Sequence, residues 1–182
     1  PVQETSGFPS SLREMETVSK NLKKRPVDTV FIGGGTPSVP ECDVMEKLLQ
    51  GLRDYFLFSA DAEVTIEANP GTLTPEKLSI YRKFGINRIS IGLQSPNNKE
   101  LAMLGRIHNY AQFLESFQMA REAGFSNINV DLMFAIPGQC YEGWIENLRM
   151  VAALGPEHIS AYSLIIEEGT PFSRKKLDLP DE

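Results

Sequence analysis

The sequence is poor in cysteine, with only Cys42 and Cys140 among 182 residues, far apart from one another. That spacing excludes a CxxC motif and the disulfide framework of a small secreted domain, and it makes a reducing cytoplasm the expected compartment. A basic excess is also missing. Eighteen Lys and Arg face 24 Asp and Glu, a formal net charge of -6, so little is available to neutralise a phosphate backbone and nucleic acid is not an expected partner. No run reaches the ~18 to 20 consecutive apolar residues of a membrane-spanning helix, and the N-terminus has neither the charged start nor the apolar stretch of a signal peptide. The glycines of Gly33-Gly34-Gly35 follow neither the GxGxxG spacing of a dinucleotide fold nor the Gly-Lys-Ser/Thr ending of a P-loop, which weakens any nucleotide-phosphate reading.

What is present is enough apolar residue, 41% of the chain, for one substantial core. Short β-rich runs alternate with segments of helical spacing, the pattern of βα units and a parallel sheet. Strands are expected at Val27–Ile32, Glu63–Glu67, Arg88–Gln94, Asn127–Met133 and His158–Leu164, each running into glycine, proline or asparagine-rich turns. Helices are expected near 41–54, 75–84, 97–104, 109–123 and 141–154, several opened by Thr74-Pro75 or Asn109-type caps, with a further one over Leu12–Lys24. The chain is thus α/β. Five parallel strands with right-handed crossovers suit a (β/α) barrel or an open doubly wound sheet, and strand number alone does not choose. The expected organisation is a polar and helical lead-in over 1–26, the strand-bearing part over 27–172 and a polar tail over 173–182. Opening at Pro1 and closing on a charged stretch, both ends read as cuts within a longer protein.

Polar residues at the strand ends are more informative than the strands. A parallel strand buried on both faces reads as an unbroken apolar run, and Glu67, Gln94 and Asp131 interrupt it. Each falls toward the C-terminal end of its strand, where both kinds of α/β fold place their ligand sites. A structural hydrogen bond to a loop explains any one of them, but an ionised carboxylate there is costly without a partner or ligand, and three in comparable positions favour a site. Gly33-Gly34-Gly35 serves either a turn of positive φ or the close approach of backbone to a ligand.

These residues carry a resemblance. Phe31-Ile32-Gly33-Gly34-Gly35-Thr36-Pro37-Ser38 resembles the GGGTP segment of the oxygen-independent coproporphyrinogen III oxidase family of radical S-adenosylmethionine (SAM) proteins. Ile66–Gly71, Asn87–Ser95, Leu104–His108, Asn129–Met133 with Ile136–Gln139, and His158–Leu164 with Glu168-Gly169-Thr170-Pro171 continue the likeness in order, across about Val27–Phe172. The later motifs are worded like the HemW branch, whose members are regarded as haem chaperones.

The resemblance implies a partial radical SAM TIM-like barrel with SAM as cofactor. It implies that Gly34, Gly35 and Thr36 offer backbone polar groups to the methionine end of SAM, that Glu67 accepts hydrogen bonds from it, and that Gln94, Arg106 and Asp131 complete the polar shell. The charges agree with that reading, since SAM carries a sulfonium, an ammonium and a carboxylate, which two carboxylates and one guanidinium can pair. Ser163 is a weaker candidate and reads first as an ordinary strand hydroxyl. His108 and His158 lack a second ligand at metal spacing and read as structural. Cys140 sits at a capping position where a hydroxyl would serve better, Cys42 reads as packing, and Trp144, Phe113 and Phe117 read as core.

The main departure from the family is the absence of the CxxxCxxC motif that holds a [4Fe-4S] cluster. The parent protein is therefore expected to be cluster-dependent and this chain alone inactive, with no catalytic or metal-binding residue of its own. Two parent functions remain: a haem-binding chaperone, or an oxidase that oxidatively decarboxylates coproporphyrinogen III. An unrelated βα-barrel domain is the third. Haem or a porphyrinogen is the implied partner of the parent, and an exposed edge of the first strand implies self-association.

Overall fold

The structure, a computed structural model, describes residues 8–22, 25–169 and 172–174. Its elements are α1 (Phe8–Asn21), β1 (Val27–Ile32), α2 (Cys42–Tyr55), β2 (Phe58–Ala68), α3 (Pro75–Lys83), β3 (Arg88–Gln94), α4 (Asn98–Met103), α5 (Tyr110–Glu122), β4 (Ile128–Phe134), α6 (Tyr141–Ala152) and β5 (His158–Ser163). The strands form one sheet in the order β1-β2-β3-β4-β5, and every neighbouring pair is parallel. A doubly wound sheet reverses its strand order at a switch point; this one never does, so it is the curled wall of a half-barrel with helices between its strands.

Alternation along the strands gives the wall two unlike faces. Val64, Ile66 and Ala68 of β2, Ile89, Ile91 and Leu93 of β3, and Ile128, Val130 and Leu132 of β4 are buried. They share one core with Leu78 and Tyr81 of α3, Phe113, Phe117 and Ala120 of α5, and Val151 of α6. Burying each large apolar side chain contributes about 1.5–3 kcal/mol, so this face holds the wall together. The inner face is polar. Register brings Glu67 beside Ser90, Ser90 beside Asn129 and Gly92 beside Asp131, and Asn129 beside His158 and Asp131 beside Ser160. The polar residues are therefore not isolated breaks in two-sided strands. They are the inward half of a period-two pattern.

Local chemistry sets the helix starts. The Thr74 hydroxyl accepts from the Lys77 N–H at 3.2 Å with Pro75 in the first turn. Asn109 and Gln112 form a reciprocal capping box at 2.9 and 3.0 Å. Cys140 precedes α6 without a side-chain cap.

Most ends match the expected ones to within one or two residues, and two elements differ by more. β2 begins at Phe58 rather than Glu63, because Val27 pairs with Phe58 while Thr29 pairs with Glu63, so 59–62 bulge from the ladder. Ser59 donates to Asp28 across that irregularity. The polar Ser59 and Asp61 interrupt any apolar run here. The first helix starts at Phe8, earlier than Leu12, and ends at Asn21. The expected lead-in over 1–7, the end of the expected first helix at Lys23 and Lys24, the Thr170-Pro171 pair and the tail from Lys175 onward lie outside the described residues. Among the described residues no strand pairs with the outer edge of β1, and no helix is long and apolar enough to cross a membrane.

Candidate functional site

The C-terminal ends of the strands carry the polar face up to a rim, and the loop after β1 bends over it. Gly34 and Gly35 hold φ of 82° and 65° there, a region closed to most side-chain-bearing residues. The loop is clamped to the one after β2. Asn69 Nδ2 donates to Thr36 Oγ1 at 3.1 Å and the Asn69 N–H to Ser38 Oγ at 3.2 Å. From α3, Lys77 Nζ donates to the carbonyls of Ser38 at 2.7 Å and Val39 at 3.2 Å.

A cleft of about 280 Å³ opens between these loops and the strand ends. Gly35, Thr36, Glu67, Gln94, Arg106 and Asp131 line it together with Asn69, Ser90 and Gly92. Gly34 is the one expected site residue off this lining, and its N–H donates to Glu67 Oε2 at 3.2 Å. A second lobe of about 370 Å³ continues down the inner face, sharing Glu67, Gln94, Arg106 and Asp131 and adding Phe31, Arg88, Asn129 and Tyr162. Two larger hollows lie beside α1 and α2 and at the opposite end of the strands, and neither is lined by an expected site residue.

Within the cleft the charges are not paired with each other. Asp131 accepts from Ser90 Oγ at 2.9 Å and from Asn129 Nδ2 at 2.7 Å. Glu67 accepts from Gly34, and the Arg106 side chain has no hydrogen-bond or ion-pair partner among the described residues. Partial desolvation lowers the Arg106 pKa, yet a guanidinium stays charged. Two carboxylates and a free cation around one hollow suit a zwitterionic ligand that also carries an added positive charge.

Gln94 ends β3 at φ 66°, where the β3–β4 register slips between Gly92 and Gln94. A non-glycine residue there is strained, and such strain concentrates at ligand sites. With its amide nitrogen turned inward, Gln94 donates to the carbonyls of Gly92 at 2.6 Å and Leu93 at 3.1 Å. Below it, Glu100 Oε2 accepts from Ser95 Oγ at 2.6 Å, Asn147 Nδ2 at 2.9 Å and Gln139 Nε2 at 3.0 Å, tying α4 to α6.

The weaker candidates fall where a structural role explains them. His108 is buried with Nε2 3.1 Å from the Leu93 carbonyl, and burial, partly offset by that hydrogen bond, lowers its pKa. His158 Nδ1 meets Asn129 Oδ1. Ser163 is exposed at the end of β5 and lines neither lobe. Cys42 starts α2 half-buried, Cys140 is exposed, and the chain has no third cysteine. The residues present therefore do not fit an iron–sulfur cluster, whereas the charge and polarity of the cleft fit SAM. Sequence reasoning missed Ser90 and Asn129. Their signal was the two-residue spacing to Gly92 and Asp131, which puts them on the same face.

The model of the radical SAM superfamily matches residues 3–151. The heme chaperone HemW of Escherichia coli strain K12 is 42% identical over 171 residues, which is 94% of this chain and 45% of that protein. HemW of Bacillus subtilis strain 168 is 39% identical over 159 residues, 85% of this chain and 42% of that protein. Among solved structures, the coproporphyrinogen III oxidase HemN of E. coli, a radical SAM enzyme, superimposes with a TM-score of 0.84 at 29% identity, covering 96% of this chain and 41% of that one. The chain spans less than half the length of these relatives. Since the superfamily model covers most of its residues and its strands build the same half-barrel, the chain belongs to the radical SAM superfamily.

Proposed function

We propose that the cleft binds SAM and that the chain is the SAM-binding core of a cytoplasmic haem chaperone of the HemW type. The observation that carries the SAM reading is the grouping of Glu67, Asp131 and Arg106, whose side chain has no partner among the described residues, at the C-terminal rim. SAM offers a cation for each carboxylate and a carboxylate for the guanidinium. When bound beside a [4Fe-4S] cluster held by other residues of the parent, SAM supplies a sulfonium open to one-electron cleavage. This chain's own residues bind and orient. Glu67 accepts hydrogen bonds, the positive-φ backbone of Gly34 and Gly35 with Thr36 lets a ligand approach closely, and Gln94, Arg106 and Asp131 complete the polar wall.

The higher identity to the HemW proteins than to HemN supports haem transfer over coproporphyrinogen oxidation. The outer edge of β1, which no strand pairs among the described residues, with Phe31 exposed on the strand, supports self-association as part of the same reading.

The test uses the full-length parent, loaded with its cluster under anaerobic conditions. Titration calorimetry should detect SAM binding, weakened at least tenfold by Glu67→Ala and by Asp131→Ala. Unchanged affinity in both variants would remove the cleft assignment. Absorption titration should detect haem binding, while incubation with coproporphyrinogen III should yield no decarboxylated product. Steady decarboxylation would instead make the parent an oxidase.

A further inference from the structure

The geometry points to Asn129 as a positioning residue that fixes the Asp131 carboxylate for ligand binding through a one-way chain of hydrogen bonds. The inference rests on the reading of the cleft as a SAM site. Asn129 is only 1% exposed and Ser90 5%, and both lie on the inner face, away from the apolar core. Asn129 Nδ2 donates to Asp131 Oδ1 at 2.7 Å and to Ser90 Oγ at 2.7 Å. The Ser90 hydroxyl, having accepted that bond, donates to Asp131 Oδ2 at 2.9 Å. Each carboxylate oxygen therefore meets a donor from a different strand, one on β4 and one on β3.

The direction of the chain follows from valence. An ionised carboxylate has only acceptors, so the nitrogen of the Asn129 amide must face Asp131. Turned the other way, an amide oxygen would press against a carboxylate oxygen. The Asn129 oxygen then faces β5, where it receives Ser160 Oγ at 3.1 Å and His158 Nδ1. Both must donate, which places a proton on His158 Nδ1. Two donors on β5 thus hold the amide from below, and the amide with Ser90 holds Asp131 from its own side. All five side chains belong to the polar rows set by register. Nothing in that arrangement is needed to bury apolar surface, and the supply of two neutral donors leaves the negative charge of Asp131 intact for a cationic ligand.

Two substitutions in the full-length, cluster-loaded parent test this by SAM titration. Asn129→Asp is nearly isosteric and keeps an acceptor for His158 and Ser160, but it replaces the donor facing Asp131. At hydrogen-bond distance the two carboxylates share one proton, so a single charge is spread over both instead of being held on Asp131. The expected result is SAM affinity lower by about tenfold. In a double-mutant cycle, adding Asn129→Asp to Asp131→Ala should cost no further affinity, because the amide acts only through that carboxylate. Equal or tighter binding in Asn129→Asp, or losses that add in the double variant, would overturn the positioning role. Should Asn129→Asp fail to fold, Ser90→Ala removes one of the two donors and enters the same cycle with the same expectations. Wild-type affinity in both Asp131→Ala and Glu67→Ala would overturn the SAM assignment itself, and with it this role, while wild-type affinity in Asp131→Ala alone, or a weakened Asp131→Ala beside unaffected Asn129 and Ser90 variants, would overturn only the role.

Discussion

Glu67 occupies the space that a side chain on Gly33 would need. A Cβ at position 33 would lie 2.9 Å from Glu67 Oε2 and 2.5 Å from Phe31 Cε1, and the next N–H, that of Gly34, donates to the same Glu67 oxygen. The first glycine of the triplet is thus required by close approach and the next two by positive φ. Gly33→Ala should push the Glu67 carboxylate out of the cleft. We expect SAM affinity of the full-length protein to fall at least tenfold while its far-ultraviolet circular dichroism is unchanged. Wild-type affinity would mean that Glu67 can move without consequence.

Glu100 is a half-buried carboxylate held by neutral donors alone. Ser95, Gln139 and Asn147, all buried, converge on its Oε2. Glu100→Ala removes the acceptor of Ser95 and Gln139 and leaves Asn147 Nδ2 only its longer bond to Ser95 Oγ at 3.4 Å, and each unpaired donor costs about 1–3 kcal/mol unless water replaces the lost acceptor. A destabilisation of at least about 2 kcal/mol is expected in urea unfolding, with Glu100→Gln intermediate because it keeps one acceptor. A loss below about 0.5 kcal/mol would show that water enters freely.

Tyr81 presents the opposite case, since its hydroxyl is buried without a hydrogen-bond partner among the described residues. Burial, with a smaller contribution from Cys42, pushes its pKa up to about 12 from the model-compound 10.0. Because the folded state holds the proton more tightly than the unfolded one, the stability it confers is complete below about pH 10 and is lost as pH rises through about 12. The protein should therefore lose on the order of 2–3 kcal/mol over that window, and Tyr81→Phe should remove this part of the loss. Near neutral pH the same substitution should leave stability equal or raise it by about 1 kcal/mol, since it deletes an unsatisfied polar group. Thermal melts of both proteins at pH 7 and above pH 10 check both expectations.

The extent of what the sequence discloses follows from what each residue must satisfy locally. Arg88–Gln94 is readable as a strand because Ile89, Ile91 and Leu93 alternate with smaller or polar residues between clear turns. Thr74-Pro75 and Asn109 announce their helices because capping needs only residues a few positions away. Glu67 and Asp131 stand out as site residues because a carboxylate at a strand end demands a partner. Ser90 and Asn129 did not, since a neutral hydroxyl or amide is commonplace on a strand and its purpose depends on register with the next one. The start of β2 was hidden for the same reason, since its first pairing with Val27 crosses an irregularity that only the partner strand defines.

Arg106 separates binding from stability more cleanly than any other residue of the cleft. Its backbone N–H donates to the Leu101 carbonyl at 2.9 Å, which fixes the position of the chain, but its guanidinium has no hydrogen-bond or ion-pair partner among the described residues. Removing an unpaired, exposed side chain should change unfolding stability by no more than about 0.5 kcal/mol. A ligand carboxylate, in contrast, would lose a charge-assisted hydrogen bond, and SAM affinity of the full-length protein should fall at least tenfold in Arg106→Ala. Arg106→Lys keeps the charge without the two-pronged donor geometry, so it should recover part of that loss and not all of it. Titration calorimetry beside thermal melts of the three proteins reads both quantities at once. If Arg106→Ala melts several degrees lower while binding SAM as the parent does, the cation serves the fold, and the charge complement of the cleft must be assigned without it.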